Sequence, residues 1–207
     1  MNKLIQQGAE AKIFLSDEII TKDRIPKSYR HPDLDKRIRT RRTKAESKIL
    51  IKAFELKINV PKVITTEKFS LQIEFIDGDK LSETLNSYDK KKQFQAMKKL
   101  GKQTALLHEN NIIHGDLTTS NTILKDDKIF IIDFGLGFIS TKLEDKAVDL
   151  HLIKQALEAK HFRSPDHPLG QNHEDLFKNF IKGYKNKESK KVLERLEIVE
   201  RRGRYKH

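Results

Sequence analysis

The sequence predicts an α+β chain in two lobes, a small β-rich lobe followed by a reduced helical one. Three observations predict it. Short β-favouring runs crowd the first 77 residues, helical periodicity dominates the remainder, and Asp77-Gly78-Asp79 breaks the chain between them. The expected boundaries are 1–77 for the β-rich lobe with one long basic helix, 78–200 for the helical lobe and 201–207 for a basic tail.

Leu4 to Gln7, Lys12 to Leu15 and Ile19 to Lys22 are brief β-favouring runs. Gly8-Ala9-Glu10 and Ser16-Asp17 separate them with turn chemistry, so a three-strand meander is expected. From Leu34 the apolar positions Ile38, Ala45, Ile49, Ala53 and Leu56 fall near helical period. Pro32 lies ahead of them and Asn59 and Pro61 beyond, which bounds one long helix. Val63 to Thr66 and Leu71 to Phe75 bring the sheet to about five strands. Past the break, Phe94, Met97, Leu100, Thr104 and Leu107 mark a helix stopped at Asn110 and Asn111, residues that tolerate a left-handed cap. A hairpin follows, Thr122 to Leu124 and Ile129 to Ile132 about a turn at Asp126-Asp127. Three more helices are expected: on Ala147, Leu150, Ile153 and Leu157; on Leu176, Phe177, Phe180, Ile181 and Tyr184; and on Val192, Leu193, Leu196 and Val199. Pro165 and Pro168 separate the first two.

A chain of 207 residues with 36% hydrophobic content can bury a core. Lys and Arg outnumber Asp and Glu by 42 to 30, and the resulting +12 favours nucleic acid, acidic protein surfaces or nucleotide phosphates as partners. The absence of Cys excludes a disulfide scaffold, thiolate zinc and thiol catalysis. No apolar stretch approaches the roughly 18 residues of a membrane span and the start carries no signal-like apolar run, so a cytoplasmic protein without a membrane partner is expected. His161, His167 and His173 flank the Pro-containing loop without H-E-x-x-H spacing, and ordinary loop histidines are expected there instead of zinc ligands.

The chemistry concentrates in HGDLTTSN, His114 to Asn121, and IIDFG, Ile131 to Gly135. Phosphoryl transfer requires a metal held on the phosphates and an in-line nucleophile. Asp116 and Asn121 have the D-x-x-x-x-N spacing of a kinase catalytic loop, a carboxylate near the nucleophile and an amide oxygen near Mg²⁺. Asp133 adds a charged oxygen ligand of the kind hard Mg²⁺ takes. Either motif alone would read as a turn or a cap; their order about a hairpin indicates a protein-kinase-like fold that binds ATP. Lys22, ending the third strand, and Glu46, on the long helix, match the Lys and Glu pair that holds the α- and β-phosphates. Gly8, Ala9, Glu10 and Ala11 form a short phosphate-covering turn without the later glycines of G-x-G-x-x-G. Glu74 and Ile76, around Phe75, lie where an extended hinge reads the adenine edge. Gly115 replaces the Arg of H-R-D and no A-P-E closes the short run after Gly135, so activity independent of loop phosphorylation is expected. The run Lys27, Arg30, Lys36, Arg37, Arg39, Arg41, Arg42 and Lys44, with the terminal RRGRYKH, offers phosphate contacts.

GAEA, the block TKDRIPKSYRHPDLDKRIRTRRTKAE, HGDLTTSN, IIDFGLG, EDKAVDLHLIKQAL and RRGRYKH together resemble the PRPK-type kinase subunit of the KEOPS complex, an atypical serine/threonine kinase related to the Rio group. The resemblance covers essentially the whole chain. It implies a part in making threonylcarbamoyladenosine on transfer RNA, with ATP hydrolysis more important than phosphorylation of arbitrary proteins. It also implies a threonylcarbamoyltransferase partner at the helical lobe and a small accessory subunit at the β-rich lobe. Lys22, Glu46, Asp116, Asn121 and Asp133 carry over in the roles given above. Two rivals remain at this point, an aminoglycoside- or choline-type phosphotransferase, since H-G-D also resembles those enzymes, and a pseudokinase scaffold.

Overall fold

A computed structural model describes residues 3–161 and 173–204. The first lobe is a five-stranded antiparallel sheet of β1 (Lys3–Gln7), β2 (Ala11–Ser16), β3 (Ile19–Arg24), β4 (Val63–Thr66) and β5 (Ser70–Glu74) in the order β1-β2-β3-β5-β4. Asp17 and Glu18 connect β2 to β3 with φ of 48° and 63°, both left-handed, as a two-residue hairpin loop requires. Helix α1 (Pro32–Glu55) runs between β3 and β4 and begins on Pro32 itself, whose missing N–H is no loss in a first turn.

The face that α1 buries differs from the one its apolar residues suggest. Leu34 and Leu56 are exposed, whereas Thr43, Glu46, Ser47, Ile49, Leu50 and Ala53 are buried. The helix is rotated to carry polar groups inward because Glu46 finds charged partners on β3.

The second lobe opens with β6 (Asp79–Lys80), α2 (Leu81–Thr84) and a 3₁₀ turn at Leu85–Ser87. Helix α3 (Lys90–Glu109) is capped by Asp89, which accepts from Lys92 N at 2.8 Å, and stops where Asn111 turns to φ 59°. Strand β7 (Ile112–Ile113) leads through the HGD segment to β8 (Thr122–Lys125) and β9 (Lys128–Ile131). Those two, with β6, make a three-stranded sheet, and β10 (Phe138–Ile139) pairs back on β7. Helices α4 (Leu143–His161), α5 (His173–Gly183) and α6 (Ser189–Arg204) complete the lobe. Pro165, Pro168 and His167 lie outside the described residues, as do Tyr205, Lys206 and His207. Residues Arg201 to Arg204 of the basic terminus continue α6.

One hydrophobic cluster joins the lobes, running from Leu50, Leu71 and Ile73 through Met97, Leu107, Leu117, Ile131 and Phe134 to Leu150, Ile153, Phe180 and Tyr184. Two glycines set the crossing of α3 and α5. A Cβ at Gly101 would lie 2.0 Å from Phe180 O and one at Gly183 would lie 1.9 Å from Lys98 O, so the backbones touch where side chains would part them.

Candidate functional site

The HGD loop, His114 to Asp116, is held by the buried side chains of Asp149 and His114. Asp149, on the inward stripe of α4, accepts from His114 N at 2.6 Å, Gly115 N at 2.8 Å and His108 Nε2 at 3.2 Å. His108 in turn meets the Tyr184 hydroxyl at 2.8 Å, and burial, with Asp149 and Glu188 nearby, pushes that phenol well above its usual range. His114 Nε2 faces Ile132 O at 3.0 Å and its Nδ1 accepts from Asp116 N at 3.2 Å, the pattern of a neutral Nε2–H ring that joins the loop to the IIDFG segment. Gly115 has φ +79° and a Cβ there would lie 2.4 Å from Leu136 O, so an Arg at this position has neither the conformation nor the space.

Asp116 is left exposed at the cavity and Asn121 leans on it. The Asn121 amide nitrogen donates to Asp116 O and Asp116 Oδ2, both at 2.9 Å, which turns its oxygen the other way. Ile132 N donates to the Asn121 main-chain carbonyl at 3.0 Å, which ties the segment carrying Asp133 to the one carrying Asn121. Asp133 is held at φ 63°, a left-handed conformation that costs a non-glycine residue about 1 kcal/mol or more. Its Oδ1 takes Lys22 Nζ at 2.6 Å and Gly135 N at 3.1 Å, leaving Oδ2 for another partner. One carboxylate oxygen and one amide oxygen, neutral and anionic, are a donor set that fits Mg²⁺.

Lys22 also meets Glu46 Oε1 at 2.8 Å, and Arg24 Nη2 donates to Glu46 Oε2 at 2.5 Å. Burial opposes the Lys22 charge, but the carboxylates of Glu46 and Asp133 outweigh it and hold its pKa above the ordinary value. Burial opposes the Asp133 charge as well; Lys22 and the Gly135 N–H overcome it and hold that carboxyl below the usual carboxylate value.

Gly8, Ala9, Glu10 and Ala11 cover the cavity, and the basic segment after β3 clamps them. Lys27 Nζ donates to Ala9 O, Ile25 N donates to Glu10 O at 3.2 Å, and the Glu10 carboxylate meets Arg42 at 2.8 Å and Arg30 at 3.8 Å. The cavity measures about 290 Å³ and is lined by that turn with Lys22, Arg24, Arg42, Asp116, Asp133 and Gly135. Lys22, Glu46, Asp116, Asn121 and Asp133 are thus brought together through direct bonds or a shared cavity. The hinge residues Glu74 and Ile76 are not part of its lining: the Glu74 side chain is exposed and accepts from Lys62 N at 3.2 Å, and Ile76 is buried. His161 is no loop histidine; it ends α4 buried, with Nε2 3.1 Å from Thr119 Oγ1 and Nδ1 2.9 Å from Asn86 Oδ1.

Arg24 and Asp149 are the site residues that sequence reading missed. Arg24 is visible as the second residue after Lys22 on a strand, hence on the same face. Asp149 falls three residues after Lys146 and four before Ile153, on the stripe that α4 buries.

The RIO domain family model matches residues 16–146. The KEOPS complex subunit Bud32 of Pyrococcus abyssi is 37% identical over 99% of this chain and 96% of its own length. A probable bifunctional tRNA threonylcarbamoyladenosine biosynthesis protein of Methanosarcina acetivorans is 34% identical over 97% of this chain, which spans 35% of that longer protein. In three dimensions the ternary complex of streptomycin, ATP and APH(2")-IIa matches 97% of this chain and 82% of its own with a TM-score of 0.65 at 12% identity. The Rio2 kinase–ADP/Mg²⁺–phosphoaspartate complex from Chaetomium thermophilum matches 98% of this chain and 70% of its own with a TM-score of 0.60 at 16% identity. These two share the fold, a bilobal protein-kinase-like one, and the sequence likeness narrows it: the chain belongs to the RIO-domain family and, within that family, to the Bud32 proteins.

Proposed function

We propose that this chain is an ATP- and Mg²⁺-dependent atypical serine/threonine kinase and ATPase that serves as the Bud32 subunit of a KEOPS assembly, supporting threonylcarbamoyladenosine formation on transfer RNA. The observation that carries the chemistry is Lys22 bridging Glu46 and Asp133 in a cavity that also presents Asp116. Asp133 and Asn121 would hold Mg²⁺, which would neutralise phosphate charge when bound. Lys22 would bind and orient an inner phosphate, and Asp116, exposed and steadied by Asn121, would accept the proton of the attacking hydroxyl or water. The Glu74 and Phe75 amides already serve Lys62 O and Glu18 O, so an adenine edge would be read by the main chain at Ile76.

The relatives' names and the surface chemistry support the tRNA and partner readings. Lys27, Arg30, Arg39 and Arg42 are spent on contacts within the protein, whereas Arg37, Arg41, Lys44 and Lys48 share one exposed face of α1 at helical spacing. That stripe, with Arg201, is the RNA-facing charge. Exposed Leu136, Phe138, Ile139 and Val148 suit a threonylcarbamoyltransferase on the helical lobe, and Leu4 and Ile5 on the edge strand β1 suit a small accessory subunit on the β-rich lobe. Site of action would be the cytoplasm; among the described residues no helix is long and apolar enough to cross a membrane. The test is Mg·ATP turnover and tRNA modification by complexes reconstituted with wild-type chain or with Asp133→Ala. Full modification by the variant would defeat the proposal.

A further inference from the structure

The phosphate end of the cavity holds more cationic charge than a single Lys and Glu pair supplies. Residues two apart on a strand face the same side, so Arg24 projects beside Lys22. It is 5% exposed, and Glu46 holds both cations, one on each oxygen. Both reach the turn after Asp133: a Cβ at Gly135 would lie 3.2 Å from Lys22 Nζ and 3.6 Å from Arg24 Nη2. A guanidinium has five donors and Glu46 engages Arg24 through Nη2, while the residue lines the open cavity with Asp116 and Asp133. A guanidinium fixed in place by a buried carboxylate and fronting such a cavity is preorganised for an anion.

Its place along the strand says which anion. Strand β3 starts at the hinge, where Phe75 N donates to Glu18 O at 2.8 Å, and runs away from it. The backbone of Arg24 therefore lies about 6–7 Å farther along the strand from the hinge than that of Lys22, the direction in which a triphosphate would run from its inner to its terminal phosphate. We infer that Arg24 is a second phosphate-binding residue, contacting the terminal phosphoryl group of a bound nucleoside triphosphate while Lys22 holds an inner phosphate. This rests on the ATP reading above and adds a determinant of triphosphate over diphosphate binding.

Calorimetric titration of the full chain with Mg·ATP and with Mg·ADP tests it, using wild type, Arg24→Gln and Arg24→Lys. Arg24→Gln is expected to weaken Mg·ATP about tenfold or more and Mg·ADP by less than about threefold, since a charged hydrogen bond is lost from the triphosphate only. Arg24→Lys keeps the charge without the planar fork, and its ATP-to-ADP affinity ratio falls between the other two. Thermal melts without nucleotide report folding, and if Arg24→Gln does not fold, a lowered ratio in Arg24→Lys decides the matter. Equal losses for both nucleotides would show that Arg24 acts only by holding Glu46, and an unchanged ratio in a folded variant overturns the assignment. Wild-type protein that binds neither nucleotide removes the ATP reading and this inference together; wild-type binding with an unaltered ratio in the variants removes the inference alone.

Discussion

Asp133 sits where three demands meet: an unfavourable φ, an ion pair with Lys22 and the proposed metal ligation. Asp133→Ala should abolish Mg·ATP turnover while changing unfolding free energy by no more than about 1 kcal/mol, because the side chain is half exposed and fills no core volume. Turnover assays and denaturant melts measure the two effects separately. The pair also sets a pH response. Asp133 has a lowered pKa, so the stability it contributes is present above the ordinary value of 3.8 and is lost as pH falls through its lower folded value. Lys22 has a raised pKa, so its contribution is complete below 10.5 and is lost only as pH rises through its higher folded value. The ion pair therefore persists throughout the neutral range. Carboxyl NMR should show Asp133 titrating below 3.8 in wild type and higher in Lys22→Met; an unmoved titration would mean that Lys22 is not what holds it down.

Among the elements, α4 holds the HGD loop directly through Asp149, and α3 and α5 meet at a close backbone crossing. Asp149 serves three donors in a site with no exposure, so Asp149→Ala strands the amides of His114 and Gly115. A loss of about 3 kcal/mol or more is expected in denaturant melts, accompanied by loss of turnover, because a buried partner of several donors cannot be replaced by water. The crossing depends on missing side chains. Gly101→Ala should cost about 1–3 kcal/mol, since relief from a 2.0 Å approach to Phe180 O requires the helices to separate. A variant as stable as wild type would show that the helices slide freely at that contact.

For the whole molecule, the proposed RNA contact rests on how charge is distributed over the surface. The net +12 is carried elsewhere on the chain, because Lys22, Arg24 and Arg42 are matched charge for charge by Glu46, Asp133 and Glu10. Removing 201–207 breaks the exposed Arg202–Glu144 pair of 2.8 Å, worth about 1 kcal/mol at most, so the fold should persist. Transfer RNA titrated at two salt concentrations should bind the truncated chain more weakly and with a shallower salt dependence, as fewer counterions are released. Identical slopes would assign the terminal charge to another task. Hydrophobic period, turn residues and two short motifs were enough to read the two lobes, the sheet, the hairpin and the positions of Asp116, Asn121 and Asp133 about that hairpin, because each is a local pattern in which spacing along the chain fixes spacing in the element. The pairing of Lys22 with Glu46 was legible only as an expectation. The rotation of α1 that buries Glu46 and exposes Leu34, the sharing of Glu46 by Arg24, and the grip of Asp149 on Gly115 were decided by tertiary structure. Each joins residues 22 to 34 positions apart, and burial of a charge is permitted only once a partner from another element has arrived.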